Sequence, residues 1–128
     1  MFSHVVLGTN DLQRARKFYD ATLAALGVPP GVEMHVHAPR VYYRHNGMTF
    51  VVTAPVNGEP ATAANGGTVG FAAPSGEAIE AWHAAGLANG GTTCEDPPGV
   101  RDTPRGRFYL GYLRDPDGNK LCAFHPLS

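Results

Sequence analysis

The stretch Arg107 to His125, RFYLGYLRDPDGNKLCAFH, restricts the fold more than any other in this chain. It reads as two strands rich in Phe, Tyr and Leu on either side of a polar turn. Asp115, Pro116, Asp117, Gly118 and Asn119 are turn formers. Pro presets φ, Gly accepts φ > 0, and Asp and Asn bond to their own backbone. A fainter copy, RVYYRHNGMTFVV, runs from Arg40 to Val52 around Asn46-Gly47, a strong two-residue hairpin signal. Two such hairpins in 128 residues suggest an internal duplication.

The segments before each hairpin support that reading. His4 to Gly8 reads as a strand, and Asn10 or Asp11 is placed to cap the helix after it. Leu12, Ala15, Tyr19, Leu23 and Leu26 recur at helical spacing until Gly27, Pro29 and Pro30 stop the helix. A short strand is expected between Val32 and His37. Pro55 to Gly67 is a linker by composition. The pattern then restarts, with Thr68 to Ala73 a strand, Ser75 a cap and Glu77 to Leu87 a helix. Sliding the chain by 64 positions lays His4 on Thr68, Phe18-Tyr19 on Trp82-His83 and Gly27 on Gly91. The turns superpose after a slip to 71, with Asn46-Gly47 on Asp117-Gly118. Residues 1–58 and 66–128 are thus expected to be two similar modules of one domain, each too small to bury its sheet face alone. Glu95 to Gly106 reads as a Pro-rich loop that could cover a site.

Strand alternation assigns faces. A two-residue loop at Asn46-Gly47 pairs His45 with Met48 and Tyr42 with Val51. Val41, Tyr43, Met48, Phe50 and Val52 then face the helix, and Arg40, Tyr42, Arg44, Thr49, Val51 and Thr53 face away from it. Carried through the repeat, Phe108, Leu110, Tyr112, Leu121 and Ala123 are expected on the helix side. Arg107, Tyr109, Gly111, Cys122 and Phe124 are expected on the other.

Composition removes several classes of function. Charged residues are 16% and the formal net charge is −1, so neither a nucleic-acid footprint nor a polybasic membrane patch is present. No apolar run approaches the roughly 18 residues of a membrane helix, and the first residues do not read as a secretory signal. Cys94 and Cys122 make no disulfide framework, and the expectation is a cytoplasmic protein with reduced thiols. No G-x-G-x-x-G, P-loop, H-E-x-x-H, G-x-S-x-G or paired C-x-x-C motif occurs.

Three segments carry a resemblance to a known family: HVVLGTNDLQRARKFYDATLAALG from His4 to Gly27, Asn65-Gly66, and FYLGYLRDPDGNKL from Phe108 to Leu121. Over essentially its whole length the chain resembles the vicinal oxygen chelate superfamily, which includes glyoxalases, bleomycin-resistance proteins and extradiol dioxygenases. The resemblance implies an α+β fold of two paired βαβββ modules whose curved mixed sheets form a cup, and a homodimer. In metal-dependent members, four cup positions supply His, Glu or Gln to a divalent ion. The matching positions here are His4, Val51, Thr68 and Cys122, and only His4 keeps a usual ligand type. A hard cation wants several oxygen ligands, which this set does not provide. His35 and His37 could place two rings on one strand face, but an ordinary exposed pair is the simpler reading.

The expectation is therefore a superfamily protein with a degenerate metal site and no metal cofactor, binding a small molecule in the cup. Its candidate ligand-binding residues are His4, Tyr42, Val51, Thr68, Arg107, Tyr109 and Cys122. Tyrosines with guanidinium groups suit planar or anionic molecules. The alternative is a glyoxalase-like lyase, or a related transferase or dioxygenase, using His4 and Cys122 in a remodelled site. In that reading a divalent metal is held partly by His4. A third possibility is a dimer that acts only through protein contacts.

Overall fold

The structure, a computed structural model, describes residues 1–127. In the first half, β1 (His4–Gly8) leads into α1 (Leu12–Ala25), followed by β2 (Val32–His35), β3 (Pro39–His45) and β4 (Met48–Thr53). In the second, β5 (Val69–Ala72) leads into α2 (Gly76–Ala88), followed by β6 (Thr92–Thr93), β7 (Gly99–Thr103), β8 (Gly106–Arg114) and β9 (Lys120–Pro126). The first sheet has the order β1-β4-β3-β2. The second has the order β5-β9-β8, with β6 and β7 both on the far edge of β8. Each sheet is mixed, because β1 lies parallel to β4 and β5 parallel to β9 while the other pairs are antiparallel.

Local chemistry explains the helix boundaries. Asp11 accepts the backbone N–H of Arg14, and Ser75 accepts that of Ala78, each satisfying an orphan donor of a first turn. Gly27 ends α1 in the left-handed region at φ 88°, donating to the Ala24 carbonyl. The expected Pro-rich loop of residues 95–106 contains β7, whose residues pair with β8 from Gly106 to Leu110. Pro97 and Pro98 precede the strand and Pro104 follows it, so none removes a ladder donor within it.

The two halves share one core. Ala15, Phe18, Tyr19 and Leu23 of α1 and Ile79 and Trp82 of α2 lie in the same buried cluster as Val41, Phe50, Val52, Leu113 and Leu121. Gly86 lets the helices and β8 meet, since a Cβ there would collide with Leu113 and crowd Phe18. Phe50 and Phe71 meet edge to face at 5.2 Å across the halves. Both helices therefore cover one face of the sheets, and the opposite faces are left for other purposes. No helix of the described residues is long and apolar enough to cross a membrane.

Candidate functional site

The first sheet has the register its sequence dictates. His45 pairs with Met48, Arg44 with Thr49, Tyr43 with Phe50 and Tyr42 with Val51. Val41, Tyr43, Phe50 and Val52 are buried against the helices. Met48, expected with them, is at the hairpin tip and 45% exposed. Tyr42 and Val51 lie on the helix-distal face, level with Val6 of β1 and Val32 of β2.

The second sheet departs from expectation by one residue. Asp115 to Asn119 form a five-residue loop, because Arg114 pairs with Lys120. A two-residue loop at Asp117-Gly118 would have shifted β8 by one position against β9, and a one-residue slip exchanges the faces of a strand. Gly111 and Leu113 pair with Ala123 and Leu121 on the helix side. A Cβ on Gly111 would sit 2.8 Å from Ile79 of α2. Tyr109, expected in the cup, instead lies against α2, where its ring blocks any side chain at Gly76 and its hydroxyl donates to Glu80. Arg107 shares that face by alternation and pairs with Asp102 at 2.8 Å in solvent. The helix-distal positions of β8 are Phe108, Leu110 and Tyr112. Phe108 packs on Phe124 with centroids 4.7 Å apart, and Lys120 lies 5.1 Å over the Tyr112 ring while bridging to Glu95. Phe, Tyr and Leu occupy both faces of β8, so only the loop length reveals which is which.

Of the four positions matched to metal ligands, two are exposed and two covered. His4 and Thr68 are exposed, whereas Val51 and Cys122, on the central strands, are 2% and 8% exposed. His4 has a local partner, the Ser3 hydroxyl at 2.7 Å. Burial pushes the Cys122 thiol up, only partly opposed by its hydrogen bond to Tyr112. It therefore stays a neutral thiol at neutral pH, a poor metal ligand and a weak nucleophile. One imidazole, one hydroxyl, one thiol and an aliphatic side chain do not fit a divalent cation. Among the described residues no three His, Cys, Asp or Glu side chains gather to hold a metal ion.

The helix-distal faces carry apolar and cationic groups together. Val6, Val32, Met34 and Phe124 are exposed at 42, 57, 50 and 36%. Arg40, beside Met34 and Thr53 in the register, has its Nε buried with no hydrogen-bond partner. A buried guanidinium N–H without an acceptor is costly, and a ligand carboxylate would satisfy it bidentately.

The same arrangement recurs in known proteins. The profile of the Glyoxalase/Bleomycin resistance protein/Dioxygenase superfamily matches residues 1–123. A glyoxalase/bleomycin resistance protein from Albidiferax ferrireducens is similar at 59% identity and TM-score 0.92, covering 98% of each chain. A glyoxalase-related enzyme from Fulvimarina pelagi shares the fold at 17% identity and TM-score 0.70, covering 97% of this chain and 86% of its own. A lactoylglutathione lyase from Agrobacterium tumefaciens does so at 22% identity and TM-score 0.63, covering 97% and 92%. No curated protein matches. With the repeat, the paired sheets and the helix-side core all in place, the chain belongs to the Glyoxalase/Bleomycin resistance protein/Dioxygenase superfamily.

Proposed function

We propose that the protein binds a small planar acid on the helix-distal faces of its sheets without a metal ion, as a homodimer whose two copies enclose the ligand. The observation that carries this reading is Arg40, a partly buried cation whose Nε has no partner on a face otherwise built of Tyr42, Val51, Val32 and Met34. A ligand carboxylate meets the guanidinium, and an aromatic ring covers the neighbouring apolar side chains. The exposed Val6, Val32, Met34 and Phe124 support dimerisation, since a second copy is a natural cover for apolar groups of this extent.

The glyoxalase-like alternative asks His4 and Cys122 to supply metal ligands or a nucleophile, and the protonated, covered thiol disfavours it. Calorimetric titration with 2-naphthoate in excess EDTA tests the proposal. Saturable binding that falls at least about tenfold in Arg40→Gln supports it. Binding or turnover that appears only after Zn²⁺, Ni²⁺, Mn²⁺ or Fe²⁺ is added favours the metal-dependent enzyme.

A further inference from the structure

A cavity lies on the helix side of the molecule. Its volume is about 490 Å³, and it opens between the β3–β4 hairpin, the end of α1 and β5. Leu23, Leu26, Phe50, Val69 and Phe71 supply its walls, with Met48 at its mouth. We propose that this cavity is a second binding site, for an uncharged aromatic or aliphatic small molecule, separate from the helix-distal faces.

Three observations point to that class of occupant. First, the volume falls in the range of small-molecule pockets, whereas ordinary interiors leave few voids larger than a water. Second, no Asp, Glu, Lys or Arg lines it, so a charged guest would lose its hydration and gain no partner. Tyr43 does line it, but its hydroxyl is committed to Asp20 at 2.8 Å and burial holds it as a neutral phenol. His45 and Asn46, which also line it, offer one polar end of the guest a hydrogen bond. Third, the equivalent place in the other half is filled by protein. There the β8–β9 turn reaches the β1–α1 junction and bonds to Thr9, Asn10 and Tyr19. Here the shorter β3–β4 turn faces the matching junction, Ala72 to Pro74, across the cavity. An apolar cleft of this kind accepts apolar guests.

Titration with 1-aminoanthracene, a neutral fluorophore, tests the site. The wild-type protein is expected to bind one probe per chain, with Overhauser contacts from the probe to Leu23 and Phe71. Val28→Phe and Val69→Phe, which fill the cavity from two different elements, are expected to weaken binding at least about tenfold. Arg40→Gln and Tyr42→Ala are expected to leave it unchanged, which separates this site from the acid site above. Circular dichroism melts of each variant establish that the fold persists, and the wild-type Overhauser contacts do not depend on any variant. The proposal is overturned if both filling variants bind as the wild type does, or if Arg40→Gln abolishes binding. It is equally overturned if the wild-type protein binds no probe, and filling variants that then dissociate a dimer would make a second copy the occupant.

Discussion

The two hairpin tips of this molecule occupy equivalent places in the repeat and behave oppositely. The β8–β9 tip, residues 115–119, is welded to the other half. Asp117 accepts from the Thr9 hydroxyl, the Asn10 N–H and the Arg14 guanidinium at 2.5, 2.9 and 2.8 Å. Asp115, only 4% exposed, accepts from the Tyr19 hydroxyl at 2.5 Å as well as from the turn's own N–H groups. Burial and this carboxylate hold Tyr19 well above its ordinary pKa, so it remains a donor. The β3–β4 tip has two residues, no acidic side chain and no such bonds to the other half among the described contacts. Three extra residues decide whether a hairpin clamps its neighbour or leaves a cavity beside it.

That contrast predicts unequal costs for equivalent mutations. Asp115→Ala strands the buried Tyr19 hydroxyl, the Asn119 amide and two backbone donors, and should cost about 3 kcal/mol or more in chemical denaturation. Asp117→Asn keeps the shape but removes the charge facing Arg14 and the start of α1, for about 1–2 kcal/mol. Asn46→Ala at the other tip places a Cβ-bearing residue without a local polar side chain at φ 50°, for about 1 kcal/mol. If the Asn46 and Asp115 variants lost equal stability, the contrast between the tips would fail.

A smaller effect tests the same pairing inside the helices. His83 stands in α2 where Tyr19 stands in α1, and it has no carboxylate from the opposite turn. Burial lowers its pKa, with Glu80 opposing. A group that protonates more readily in the unfolded chain contributes stability that is complete above its unfolded pKa of about 6.5. That contribution declines as pH falls through this value toward the lowered folded pKa. His83→Gln should therefore flatten part of the loss in melting temperature below about pH 6.5, and an unchanged acid limb would remove His83 from the account.

Much of the fold was legible because the repeat and the turn residues agree with each other. β1, the cap at Ser75 and the Asn46-Gly47 register follow from the sequence directly, and of the two cap candidates Asn10 and Asp11 the structure selects Asp11. β8 did not, because Arg107 to Arg114 alternates apolar with apolar or aromatic residues, so burial pattern could not choose its face. The choice lay in whether two or five residues of DPDGN form the loop. That count moved Tyr109 to the helix side and brought Phe108, Leu110 and Tyr112 to the other. The cavity was not legible at all, since an empty volume arises from what a short turn fails to reach. Residues 95–106 concealed β7 because their prolines and glycines mask a strand that pairs on one edge only.

The central claim is that this member of the superfamily holds a small acid through Arg40 and the helix-distal faces, without a metal. Amide chemical-shift mapping of the isotope-labelled protein, titrated with 2-naphthoate in EDTA, tests it most directly. The account predicts shifts concentrated at Arg40, Tyr42, Val51 and their strand neighbours, saturating with no metal present. Shifts that arise only after a divalent ion is added, or that centre on Tyr109 and the helix side, would contradict it.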